Sequence, residues 1–128
     1  MIENFIKSSE YTQKLFQIDD EVLKNIEMES LNDNVPIITR EVLNFMIFNA
    51  KGIGAENILE VGTATGYSGL FLAQIANKNG GQLTTIEIDE KRHEKAIENY
   101  LVAYEMDRDD ILTLTLADTG SHADLFKM

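Results

Sequence analysis

Asn57-Ile58-Leu59-Glu60-Val61-Gly62-Thr63-Ala64-Thr65-Gly66-Tyr67-Ser68-Gly69 is an apolar run that meets a glycine-rich turn and then opens a helical pattern. About twenty residues further on, where a second strand of such a unit falls, Leu83-Thr84-Thr85-Ile86-Glu87-Ile88-Asp89 is another strand-like run, and it ends in acids. This order of strand, glycine turn, helix and acid-tipped strand is how a βαβ unit grips a nucleoside. Glycines let the backbone come close to the ligand, and the acid at the second strand's tip accepts hydrogen bonds from ribose hydroxyls. The spacing read from Gly62, Gly66 and Gly69 is G-x-x-x-G-x-x-G. The dinucleotide fingerprint G-x-G-x-x-G needs glycine where Ala64 stands, which disfavours a nicotinamide-dependent dehydrogenase.

Element types alternate outward from this unit. The pattern predicts a strand over 57–61, a helix over 66–78, a turn at Asn79-Gly80-Gly81 and a strand over 82–88. A helix over 90–105 follows, with Ala96, Ile97, Tyr100, Leu101 and Tyr104 on one face. Asp107-Arg108-Asp109-Asp110 is a turn, and a third strand covers 111–116. Such alternation implies an α/β fold with a parallel sheet and right-handed crossovers. Upstream, Leu15, Ile18, Val22 and Ile26 recur at steps of three and four, which predicts one amphipathic helix over 10–30. A second helix is expected over 36–50, with Pro36 in its first turn and Gly52 after its end. Its Ile37, Ile38, Val42, Leu43, Phe45, Met46, Ile47 and Phe48 suggest that it is largely buried. Phe45, Phe48, Phe71, Tyr100 and Tyr104 read as core residues rather than a platform for stacking bases. After the third strand only twelve residues, 117–128, remain. The strand order is therefore expected to be 3-2-1, with the first strand at an open edge, and an open apolar edge invites self-association.

The 128 residues suffice for a single domain, and 44% apolar residues suit a real core. A net charge of -11 argues against a broad cationic surface for nucleic acid. Cysteine is absent, which excludes disulfides, a thiolate nucleophile and cysteine metal sites. No apolar run approaches the ~20 residues of a membrane span, and the N-terminus lacks the pattern of a signal peptide, so a cytoplasmic protein is expected.

The residues able to carry chemistry lie at the strand tips. Glu60 is an acid at the end of an apolar strand, either a partner for the loop or a contact for a ligand's amino group. Gly62 and Gly66 sit where backbone meets ligand. Ser68, in the first turn of the helix, either caps backbone donors or touches the ligand. Glu87 is the candidate acceptor for ribose hydroxyls, against the alternative of a surface acid. Asp118, after the third strand, either accepts from an adenine amino group or is a solvated turn residue. His93 lies in a charged helix start and His122 in the tail. No metal-ligand spacing and no Ser/His/Asp set is evident.

Three segments carry a resemblance: Val35-Pro36-Ile37-Ile38, Ile58 to Ser68 with its E-x-G-x-x-x-G, and Thr85-Ile86-Glu87-Ile88-Asp89-Glu90-Lys91-Arg92-His93-Glu94-Lys95-Ala96. Together they resemble the cation-dependent, S-adenosylmethionine-dependent O-methyltransferases related to catechol O-methyltransferase. Within that family they are most similar to the bacterial tRNA 5-hydroxyuridine methyltransferases. The resemblance implies the N-terminal half of a Rossmann-like class I methyltransferase fold, with an N-terminal helical extension. Residues 1–52 would be the helices and 53–128 the cofactor-binding βαβαβ unit. It implies that Ile38 flanks the methionine part of S-adenosylmethionine, that Glu60, Gly62 and Ser68 surround its amino-acid end, and that Glu87 holds the ribose. Asp118 and Thr119 stand where the family has an Asp-Ala pair beside the adenine. With Thr63, Gly66 and Ile88 these make up the expected cofactor-binding set.

The family's later Phe-Ile-Asp-Ala-Ala-Lys strand and Asp-Asn pair, which supply magnesium ligands and a catalytic lysine, have no counterpart in the sequence. The chain is therefore expected to be the N-terminal, cofactor-binding part of such an enzyme. It would hold no catalytic or metal-binding residue, with Mg2+ belonging only to the full-length protein. The implied substrate is wobble 5-hydroxyuridine of tRNA; the alternatives are a small catechol-like acceptor, or a non-catalytic nucleoside-binding or assembly role. A homo-oligomer and no membrane partner are expected.

Overall fold

The computed structural model of the chain describes residues 1–104 and the strand 113–116. The elements are α1 (Ile2–Leu15), α2 (Glu21–Asn32), α3 (Arg40–Gly52), β1 (Asn57–Val61), α4 (Tyr67–Lys78), β2 (Gln82–Glu87), α5 (Glu90–Tyr104) and β3 (Thr113–Leu116). Among the described residues the three strands are parallel in the order β1-β2-β3, the expected 3-2-1 sheet with β1 at an edge. The register sets Glu60 opposite Thr85 and Val61 opposite Ile86. Helix α4 lies between β1 and β2 in sequence and buries Leu70, Leu72, Ala73, Ile75 and Ala76. The core around it includes Leu83 and Ile86 from β2, Ala96 and Tyr100 from α5, and Leu23, Ile26 and Leu43 from the N-terminal helices.

Two helix expectations need correction. The helix expected over 10–30 is two helices. Helix α1 runs from Ile2, the chain leaves helical geometry after Leu15, and Asp20 starts α2 by accepting from the backbone N–H groups of Val22 (2.9 Å) and Leu23 (3.1 Å). The apolar period hid this break. Ile18 is buried as a loop residue, whereas Leu15, in step with it, is exposed. Asp20 as an N-cap was the contrary signal.

The second correction concerns Pro36, which does not open a helix. Ile37 N–H donates to the Val35 carbonyl at 2.9 Å, closing a three-residue turn around Pro36 that suits its fixed φ. Residues 35–39 are not helical, and α3 begins at Arg40 after the N-cap Thr39. Nor is α3 largely buried. Leu43 and Ala50 are buried, but Phe45 (68% exposed) and Phe48 (75% exposed) are not, and neither of these two aromatics is a core residue. Phe71 is half-buried, Tyr100 is fully buried, and the Tyr104 side chain lies outside the described residues. On the sheet, Leu59 and Val61 are likewise exposed, so β1 and part of α3 share an uncovered apolar region.

The N-terminal helices are fastened to the βαβ unit by a polar cluster that sequence patterning did not reveal. Arg40 of α3 donates to both oxygens of Glu27 on α2, Nε to Oε1 at 2.8 Å and NH2 to Oε2 at 2.7 Å. Tyr67, the first residue of α4, donates its hydroxyl to Glu27 Oε1 at 3.1 Å. One carboxylate thus joins three helices. The Arg40 hydrogen bond, working against desolvation by burial, holds the Glu27 carboxyl below the usual glutamate range. A carboxylate depressed in this way stabilises the fold above the ordinary glutamate pKa, and that contribution disappears as pH falls through the depressed value. Arg40→Met is expected to lower stability by about 2–3 kcal/mol at pH 7, because it strands a nearly buried carboxylate. The difference from the parent chain should shrink as pH falls through the depressed pKa of Glu27, below which the carboxyl is protonated in both. Urea melts across that range check both points.

Candidate functional site

The site is built where β1 and β2 end. Gly62 leaves β1 at φ +94, and its N–H donates to the Ile86 carbonyl at 2.8 Å, so the strand pairing runs on into the turn. Ala64 sits at φ +50, a left-handed conformation that costs a non-glycine residue roughly 1–2 kcal/mol. Its N–H donates to Glu87 Oε2 at 2.7 Å. A hydrogen bond to a carboxylate contributes about 1.5–3 kcal/mol, enough to offset that strain. Gly66 then caps α4 at φ +85. A Cβ there would be strained by the backbone conformation and would lie 3.0 Å from a ring carbon of Tyr100, which would have to shift. Gly69 is needed for space alone. A Cβ on it would collide with the Tyr100 hydroxyl and lie 2.8 Å from Glu60 Oε2.

Side chains from three elements fasten this turn. The Thr63 hydroxyl pairs with that of Thr85 at 2.6 Å. The Thr65 hydroxyl pairs with Ser30 of α2 at 2.7 Å, and its carbonyl accepts from Asn99 of α5 at 2.8 Å. The turn is thus held by β2, α2 and α5 together.

Glu60 lies directly beneath it. Its Oε1 accepts from the Ser68 hydroxyl at 2.5 Å and its Oε2 from the Thr85 hydroxyl at 2.7 Å. Burial pushes its pKa up. The two hydroxyls oppose that effect and the nearby Glu87 charge adds to it.

Four of the ten expected site residues, Ile38, Glu60, Gly62 and Ser68, line one groove of about 690 Å³. It runs between α3 and β1, and Phe45, Met46 and Ile53 make its outer wall apolar. The other described residues of the set surround the turn. Thr63 is buried, with its hydroxyl turned to Thr85. Gly66 is covered by Tyr100, Ile88 is half exposed beyond β2, and Glu87 is buried against the turn. Asp118 and Thr119 lie outside the described residues. Sequence reading missed Thr85 and the grip on Thr65. A detectable signal existed for Thr85, a polar residue inside an otherwise buried parallel strand, which has a reason to be there only if it bonds to a neighbour.

Among the described residues, no group of three or more His, Asp or Glu could hold a metal ion, and no helix is long and apolar enough to cross a membrane.

Comparison with known proteins bears on the family and the fold. A family model described as O-methyltransferase matches residues 8–110. The structure is similar to that of an O-methyltransferase from Bacillus cereus in complex with SAH, at 26% identity and a TM-score of 0.76, covering 99% of this chain and 56% of that one. Two further structures share the fold. One is the O-methyltransferase TomG from Streptomyces achromogenes, involved in tomaymycin synthesis and in complex with SAM, at 23% identity and a TM-score of 0.73; 94% of this chain and 52% of that chain are covered. The other is the SAH-bound methyltransferase PaMTH1 from Podospora anserina, at 22% identity and a TM-score of 0.75, with coverages of 90% and 49%. The chain spans about half the length of these solved structures.

The raised pKa of Glu60 sets a sign for pH dependence. A buried carboxyl with a raised pKa stabilises the fold below the ordinary glutamate pKa and loses that contribution as pH rises through its folded value. Glu60→Gln keeps the shape and removes the charge. Its melting temperature relative to the parent chain is expected to rise between pH 4 and pH 8. A constant difference across that range, followed by scanning calorimetry, would contradict the assignment.

Proposed function

The chain belongs to the O-methyltransferase family, and from that premise we propose that its glycine turn and groove hold the methyl donor S-adenosylmethionine. The observation that carries this reading is that Ile38, from the segment before α3, lines one groove with Glu60, Gly62 and Ser68, beside the turn fastened by Glu87. Glu87 would take the ribose hydroxyls. Glu60 and Ser68 would meet the amino-acid end of the donor, and Ile38 would cover its methionine part. Thr63, Gly66 and Ile88 would border the nucleoside, and Asp118 and Thr119 the adenine. SAH in the Bacillus cereus structure supports the same class of ligand.

In the whole protein, the donor held here would place its sulfonium methyl in line with an acceptor hydroxyl. The resemblance to tRNA 5-hydroxyuridine methyltransferases makes wobble uridine the acceptor we favour. A small catechol-like hydroxyl compound is the second reading, supported by the apolar wall of Phe45, Met46 and Ile53. The described residues do not fit the magnesium site that the resemblance implies, since no acidic or histidine cluster is present among them. No step is therefore derived through a cation, and residues 1–128 by themselves are proposed to bind the donor without transferring its methyl group. A cytoplasmic location goes with this reading.

Isothermal calorimetry with S-adenosylhomocysteine tests the proposal. Binding is expected, and Glu87→Ala should weaken it at least about tenfold, because hydrogen bonds to a charged group are lost. A folded variant with unchanged affinity would overturn the ribose assignment.

We also propose that the chain self-associates through β1. Among the described residues β1 pairs only with β2, and Leu59, Val61, Phe45 and Ile53 leave apolar surface beside its open edge. Water can satisfy an edge's backbone groups, but it leaves that apolar surface exposed. Sedimentation velocity over a range of concentrations is expected to show mass increasing with concentration. A stable monomer at high concentration would contradict this.

A further inference from the structure

Glu87 is already hydrogen-bonded on both oxygens and covered as the chain stands. Its Oε1 accepts the N–H groups of Ile88 at 2.8 Å and Asp89 at 2.9 Å, and its Oε2 accepts the Ala64 N–H at 2.7 Å. A carboxylate offers about four lone-pair sites, so three are occupied before any ligand arrives. Two ribose hydroxyls would bring the donors to about five, one more than the carboxylate can accept. Glu87 is also only 3% exposed, so a diol cannot reach both oxygens until something moves.

We propose that the diol of a bound nucleoside takes Glu87 Oε2 from the Ala64 N–H, so that the turn opens at Ala64 as the ligand seats. This rests on the nucleoside reading given above. Two features single out Ala64 as the donor that leaves. The Oε1 donors belong to the two residues that directly follow Glu87, so they are held against it by its own backbone. The Ala64 N–H reaches Glu87 from a separate segment and from a left-handed conformation that relaxes on release. On either side, Thr63 is held by Thr85, and Thr65 by Ser30 and Asn99. The movement is therefore confined to the Ala64 peptide. A ligand without the diol has nothing to exchange for the Ala64 N–H and leaves the turn closed.

Amide hydrogen exchange on the ¹⁵N-labelled chain tests this, comparing the complex with S-adenosylhomocysteine and the complex with its 2′,3′-dideoxy analogue. The two ligands differ only in the diol, so the comparison isolates it. Exchange at Ala64 is expected to be at least about tenfold faster with S-adenosylhomocysteine than with the dideoxy analogue, while Ile88 and Asp89 exchange equally in both. If both ligands bind and Ala64 exchanges at the same rate, the hydrogen-bond exchange is overturned and the nucleoside reading stands. If neither ligand binds, the nucleoside reading falls and takes this inference with it.

Discussion

The turn between β1 and α4 has its shape because a carboxylate on the next strand holds it. Parallel pairing sets Val61 against Ile86, which brings Glu87, one residue on, beside the backbone of 62–64. The Glu87–Ala64 hydrogen bond then stabilises a left-handed alanine that would otherwise be unfavourable. The position of α4 follows, since Gly66 caps that helix and Tyr67 begins it. From Tyr67 the constraint passes to Glu27 and Arg40, and so to the N-terminal helices. A change in register between β1 and β2 would dismantle the turn and every contact built on it.

The polar groups beneath the turn are arranged so that each has a neighbour to satisfy it. Glu60 takes one hydroxyl on each oxygen, and Thr85 serves both Glu60 and Thr63. In a low-dielectric interior such a network makes a rigid floor, because an unpaired member would be costly. The rigidity is local. It covers the turn and the strand tips, while the outer face of β1 and the Phe45/Phe48 side of α3 carry apolar surface without cover. The same short chain therefore combines a closely hydrogen-bonded turn with apolar surface left exposed among the described residues.

The sequence by itself determined the alternation of elements, because strand and helix periods are local properties of the chain. It likewise determined the parallel 3-2-1 order, because short right-handed crossovers leave few alternatives. It singled out the β1–α4 turn as the candidate site, from the spacing of Gly62, Gly66 and Gly69 with Glu87 one βα unit later. Only the tertiary structure decided which apolar residues are covered. The period linking Leu15 to Ile26 looked continuous, yet the chain breaks at 16–20, and Ile18 is buried by packing rather than by helix geometry. Phe45 and Phe48 are as apolar as any core residue, but whether a helix face is buried depends on which surface meets it. The state of Glu87 was equally hidden. Its place at a strand tip is a local fact, whereas its hydrogen bond from the Ala64 N–H depends on the register of two strands that the sequence keeps more than twenty residues apart.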